Sequence, residues 1–245
     1  MKKKLNKFKI SFSPNFSSRK KKIKYIIIHY TGMKSFRDTI ALFNSAKSKV
    51  SCHWLISRRG VLYKIVEENK VAWHAGVSYW KGEKNLNSSS IGIELENQGH
   101  GREYKTFTNS QLLTLEKLIK RIKIEYNVNS VDVIGHADVA PLRKSDPGEL
   151  FDWERLARKK LVFWPKIQKK KINMNLLQMG EKSKRVLLVK KKLRKIGYKC
   201  SSNNTYDLSL KLVVEAFQRR FLPDRINGII DAKVYVRIIN VSENT

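Results

Sequence analysis

The sequence predicts an α/β layer fold followed by a small helical domain, and three observations carry that expectation. Short β-branched apolar runs, Tyr25–His29 and Ile91–Glu96 among them, are interleaved with an amphipathic helix over Thr108–Tyr126. The composition changes after Trp164-Pro165, where Lys166 to Lys171 reads as a charged, polar linker. Beyond it lie three short helical patterns, two of them opening on aspartate.

In chain order, residues 1–22 form an extended, lysine-rich N-terminal basic arm with Ser13-Pro14-Asn15-Phe16 in its middle. Tyr25–His29, ended by Thr31-Gly32, reads as a buried strand. Ser35 is placed to cap a helix running to about Ser45. His53–Ser57 and Val61–Val66, joined through Arg58-Arg59-Gly60, predict a β-hairpin with a Gly-containing turn. Alternation sets Ile91, Ile93 and Leu95 on one strand face and Glu94 on the other. Thr108 and Gln111 make a capping box, after which Leu112, Leu115, Ile119, Ile122 and Tyr126 form one apolar stripe. Val131–Gly135 is a further short strand, closing at His136. The C-terminal patterns are Val186–Ile196, ended by Gly197, then Asp207–Phe221 and Asp231–Ile239. The chain therefore divides into an arm (1–22), an α/β domain (23–165), a linker (166–178) and a three-helix domain (179–241).

Length and composition set outer bounds. A chain of 245 residues, 41% hydrophobic and 10% aromatic, can build a real core and is no disordered tail. Fifty-one Lys+Arg against 21 Asp+Glu leave a formal charge of +30, which favours polyanionic partners: nucleic acid, cell-wall polymer or a membrane surface. The cations are spread along the chain and are mostly lysine, less suited than arginine to bidentate recognition. No recognition-helix or base-stacking motif accompanies them, so no specific nucleic-acid partner is expected. Cys52 and Cys200 lie far apart in different expected domains and imply no disulfide framework. The basic start lacks an apolar segment behind it, and Ile26-Ile27-Ile28 is too short to span a bilayer. The expectation is a chain with no ordinary secretion signal and no transmembrane segment.

Of the five histidines, His29 and His136 each close an apolar strand, at the edge where loops build sites. Asp146 follows in a loop bounded by Pro141, Pro147 and Gly148 that can fold back toward His136. Two imidazoles and a carboxylate suit a catalytic zinc ion with one position open for water. Spacing alone leaves that set one possibility among several, because scattered His and Asp residues are common.

Four motifs then occur in order: Ile27-Ile28-His29-Tyr30-Thr31-Gly32; Trp73-His74-Ala75-Gly76; Ser90 to Asn97 around Glu94; and Gly135-His136 to Pro141, continuing as Lys144-Ser145-Asp146-Pro147-Gly148. From about Ser13 to Trp164 the chain resembles the N-acetylmuramoyl-L-alanine amidases related to phage lysozyme-amidases and peptidoglycan recognition proteins. The resemblance implies a central mixed sheet flanked by helices, and Zn²⁺ held by His29, His136 and Asp146. It further implies that Glu94 orients or deprotonates the attacking water, that Lys144 stabilises the oxyanion, and that His74 lines the substrate groove. His53 is expected to pack beside Trp54, and His100 either borders the cleft or is a solvated loop residue. The tail, through Gly197-Tyr198, Tyr206-Asp207, Ala216-Phe217-Gln218-Arg219-Arg220-Phe221 and Gly228 to Asp231, resembles a three-helix peptidoglycan-binding domain. Such a domain would tether the enzyme to the wall without adding chemistry.

The resemblance implies hydrolysis of the bond between muramic acid and L-alanine, in peptidoglycan or in muropeptides, including 1,6-anhydro forms. The competing reading is a non-catalytic wall-recognition module on the same fold; relatives of that kind commonly lose a zinc ligand, whereas all three are present here. Oligomeric state stays open. So does the compartment, since the missing signal favours the cytoplasm and the wall-binding domain favours the envelope.

Overall fold

The structure is a computed structural model and describes residues 8–166 and 175–245. Part of the expected arm (residues 1–7) and most of the expected linker (residues 167–174) lie outside the described residues.

The first half of the chain holds strands β1 (Lys9–Ile10), β2 (Phe16–Ser18) and β3 (Tyr25–Tyr30), helix α1 (Phe36–Asn44), then β4 (Trp54–Ile56), β5 (Leu62–Lys64) and β6 (Lys70–Ala72). A small hairpin, β7 (Tyr79–Trp80) and β8 (Glu83–Lys84), precedes β9 (Ser90–Leu95) and the long helix α2 (Asn109–Tyr126). Then come β10 (Val133–Gly135), the one-turn α3 (His136–Val139) and α4 (Trp153–Arg158). The last three helices are α5 (Lys184–Ile196), α6 (Leu208–Phe221) and α7 (Ala232–Glu243).

Six strands make one mixed sheet in the order β1-β5-β4-β9-β3-β10. Only β4 and β5, the expected hairpin, pair antiparallel; β3 is parallel to both β9 and β10. The two central strands are buried on both faces, which is why they read as apolar runs. Residues 9–18 of the arm are not a free extension: β1 extends the sheet edge beside β5, and β2 pairs with β6.

Local chemistry explains the helices. Thr108 and Gln111 form the reciprocal capping box at the start of α2. Ser35, Ser183, Asp207 and Asp231 each accept a backbone N–H as N-caps of α1, α5, α6 and α7. The apolar stripe of α2, Leu112, Leu115, Leu118, Ile119 and Ile122, packs with Ile26, Ile28, Ile91, Ile93 and Leu95 from one sheet face. On the other face, Tyr25, Ile27 and Ile134 join a core that runs through Trp80, Leu86, Ala137, Val139 and Ala140 into the C-terminal helices. The three C-terminal helices are thus packed against that face of the sheet through one continuous core. At that seam a Cβ on Gly197 would sit 2.5 Å from the Trp80 ring, so only glycine lets α5 end there. Among the described residues no helix is long and apolar enough to cross a membrane, and both cysteines are free.

Candidate metal centre and active site

Parallel pairing of β3 and β10 sets Ile28 opposite Gly135, so the two strands deliver His29 and His136 to the same carboxyl edge. Asp146 is brought back to them by a backbone bond, Ala137 N–H to Asp146 O at 2.7 Å. Nδ1 of His29, Nδ1 of His136 and Oδ2 of Asp146 then stand 3.0 Å from one another in each pair. All three residues are buried, and they are the one three-donor group of this kind among the described residues.

The hydrogen bonds behind the cluster decide which nitrogens face it. Ser90 commits its hydroxyl hydrogen to Leu86 O at 2.6 Å and so accepts from His74 Nε2 at 3.2 Å. His74 Nδ1 is then the acceptor for His29 Nε2–H at 3.0 Å, which leaves His29 Nδ1 with its lone pair free. His136 Nε2 lies 3.2 Å from Ala75 O, with the same consequence for its Nδ1. Two imidazole nitrogens and a carboxylate oxygen converging on one point are a donor set fit for a divalent transition metal.

Electrostatics agree. Burial, with His136 beside it, pulls the His29 pKa down to about 4, so the ring is neutral at physiological pH. Burial alone would raise Asp146, but His136 and His29 outweigh it and hold the carboxyl well below its usual range. Glu94, in register with His29 on the neighbouring strand, is pushed the opposite way. Burial first, and Asp146 second, raise it well above an ordinary carboxylate, with Lys144 opposing. Its Oε2 is buried without a hydrogen-bond partner. A carboxyl group whose proton affinity is raised next to an ionised one is an arrangement that separates base from ligand.

The structure brings His29, His136, Asp146 and Glu94 together, with Lys144 exposed at the rim and acting electrostatically on both His29 and Glu94. His74 is different. Rather than lining an open groove it is 7% exposed and sits behind His29, because Gly92 leaves its ring the space: a Cβ there would come 2.6 Å from His74 Cδ2. His53 packs against His74 (ring centroids 5.6 Å apart) as well as preceding Trp54, and accepts from Gly92 N–H at 3.0 Å. His100 is exposed and bridges Tyr30 OH at 2.9 Å to Glu149 at 3.0 Å.

Sequence reasoning missed Ser90, and it missed Arg143, which donates to the carbonyls of Ala75 and Val77 beside His136. It also missed Arg19, which ties the arm to the site by donating to Lys70 O, Ser88 O and Ser90 O. Gly92 is the available signal for the buried place of His74, since an isolated glycine inside a strand pattern marks a close approach.

A mixed sheet with a buried His-His-Asp cluster and an adjoining carboxylate at its carboxyl edge is the framework of a metal-assisted hydrolase. Comparison with known proteins narrows the class. A profile of the N-acetylmuramoyl-L-alanine amidase family matches residues 19–149. The N-acetylmuramoyl-L-alanine amidase AmiD of Escherichia coli is 33% identical over 225 residues, covering 86% of this chain and 79% of that protein. The 1,6-anhydro-N-acetylmuramyl-L-alanine amidase AmpD of Haemophilus influenzae is 44% identical over 108 residues, 44% of this chain and 56% of its own. The solved structure of E. coli AmiD in complex with its substrate anhydro-N-acetylmuramic acid-L-Ala-D-gamma-Glu-L-Lys superposes with a TM-score of 0.78, at 31% identity, over 91% of this chain and 89% of that one. The chain belongs to the N-acetylmuramoyl-L-alanine amidase family.

Proposed function

We propose that this protein is a zinc-dependent amidase cleaving the bond between N-acetylmuramic acid, 1,6-anhydro forms included, and L-alanine in peptidoglycan or muropeptides. The observation that carries the reading is the convergence of three metal-donor atoms beside the unpartnered Oε2 of Glu94. In this reading residues 23–165 are catalytic and residues 179–241 form a peptidoglycan-binding domain.

His29, His136 and Asp146 would hold the zinc. When bound, zinc supplies a Lewis acid for the amide carbonyl and brings the pKa of its water to about 7. Glu94 orients the attacking water and takes its proton, a task suited to a carboxyl whose proton affinity burial has raised. That proton is then available to the departing amine of L-alanine. Lys144 faces the negative charge that grows on the carbonyl oxygen. His74 and Ser90 keep His29 in the tautomer that presents Nδ1. Two relatives named for or solved with anhydro-muramoyl substrates support including that class.

The test is a chelator experiment on purified protein with anhydro-muropeptides, following released peptide by mass spectrometry. Metal removal is expected to abolish release and added zinc to restore it. Release that survives complete metal removal overturns the zinc mechanism; absence of release from every muropeptide, zinc-loaded, favours a recognition module instead.

A further inference from the structure

The one-turn helix α3 begins with His136 and contains Asp138, a residue 2% exposed that is not among the three clustered metal-donor residues. Its Oδ2 accepts Gly135 N–H at 2.8 Å, closing the turn that carries His136. Both oxygens are also held from the C-terminal helical domain. Tyr198, just beyond α5, donates its hydroxyl to Oδ1 at 2.5 Å, and Arg220 on α6 donates Nη1–H to Oδ2 at 3.0 Å. The second arm of Arg220 donates to Val133 O in β10 at 3.1 Å, and its guanidinium lies 4.4 Å over the Trp153 ring. Trp153 and Pro147 in turn wall in Gly135, where a Cβ would meet Pro147 Cδ at 2.8 Å. So the strand before His136, the turn that carries it and the loop returning Asp146 meet at one buried joint. Two side chains from a separate stretch of the chain, 60 and 82 residues from Asp138, complete that joint.

We propose that the C-terminal domain is a structural part of the metal centre. Tyr198 and Arg220 are positioning residues that, through Asp138, fix the turn presenting His136. This rests on the metal reading of the His29, His136 and Asp146 cluster. The physical reason is the penalty for a loose ligand: groups that orient a metal ligand are commonly worth ten- to a hundredfold in metal affinity. A buried carboxylate satisfied by an arginine, a tyrosine and a backbone N–H has one geometry, and removing a donor frees the turn. A domain that merely tethers the enzyme would need no such contact.

The experiment uses the full chain, with zinc affinity measured by competition against a chromophoric chelator, alongside kcat and KM on an anhydro-muropeptide. Tyr198→Phe removes one hydroxyl and keeps the ring against Trp80 and Phe217. It is expected to weaken zinc binding about tenfold and to lower kcat with KM within about twofold. Asp138→Asn is expected to do the same, and the double variant to add little to either. Val213→Ala, buried in α6 without a bond to Asp138, controls for general loosening: it lowers Tm and leaves zinc affinity unchanged. Zinc affinity in Tyr198→Phe equal to the parent, or Val213→Ala weakening zinc as much, overturns the proposal. A parent chain that takes up no zinc at all is a different result and sinks the metal reading itself.

Discussion

Strands β3 and β9 run side by side through six paired residues, and the two faces of that pair carry different work. Toward α2 they present Ile26, Ile28, Ile91, Ile93 and Leu95, all fully excluded from solvent and all apolar. Toward the other side they present Tyr25, Ile27 and His29 beside Ser90, Gly92 and Glu94: two hydrophobes, a hydroxyl, a gap, a histidine of the candidate metal site and a carboxyl with one unpartnered oxygen. The first face contributes on the order of 1.5–3 kcal/mol per large side chain by burial. The second buries polar groups at a cost, and that cost is met only because α3, the Asp146 loop and the neighbouring apolar face hold them in place. Adjacent residues of one strand can therefore be changed with opposite consequences.

Glu94→Gln against Ile93→Ala is the sharpest form of that contrast. The amide keeps the shape of Glu94 but cannot take a proton, so kcat is expected to fall by about 10²–10⁴. The protein should be about as stable, because the amide keeps the side chain's shape and Oε2 makes no hydrogen bond for the change to remove. Ile93→Ala should cost about 2–5 kcal/mol of unfolding free energy while the folded fraction keeps its kcat. Turnover and urea midpoints on the same preparations check both. Equal loss of activity in the two variants would break the division between faces.

Gly92→Ala comes next in size. A methyl group there overlaps the His74 ring, so His74 must move and His29 loses the acceptor that sets its tautomer. Zinc affinity is expected to drop about tenfold or more, as for other lost supports of a metal ligand. His74→Ala in the Gly92→Ala background should add little further loss, since both act through one ring. Full additivity, read by chelator competition, would mean Gly92 matters for another reason.

The apolar face was the more legible of the two. Alternation over Ile91, Ile93 and Leu95 and the stripe of α2 identify it with no other information, because burial imposes a period on sequence. The site is legible only in part. His29 and Asp146 are 117 residues apart, and no spacing rule links them; ordered motifs did. The motif of His74 points to the groove, whereas its ring lies behind His29, a matter of which way one side chain turns beside Gly92. Tyr198 follows one helical pattern and Arg220 lies within another, where a tyrosine and an arginine pass as ordinary core and surface residues. Their contact with Asp138 depends on how the C-terminal helices pack against α3 and β10, which local periodicity does not encode.

The smallest effect lies at the border of the apolar face, where Glu68 is buried beside α2. It accepts from Trp54 Nε1 at 2.5 Å, Arg121 Nη1 at 2.6 Å and Tyr126 OH at 2.8 Å. Burial pushes its pKa up, but Arg121 and the other donors outweigh that and hold it below the ordinary value of 4.5. A carboxyl with a lowered pKa in the folded state binds its proton less readily than in the unfolded chain. Its contribution is therefore present above about pH 4.5 and is lost as pH falls through the folded value. Glu68→Gln is expected to lower stability by roughly 1.5–3 kcal/mol at pH 7, the range for hydrogen bonds to a charged group. The gap between parent and variant should narrow in urea titrations below that pH, while zinc affinity at pH 7 stays unchanged. A gap of constant size across pH would assign the loss to packing; a change in zinc affinity would mean that the two faces are coupled through β9.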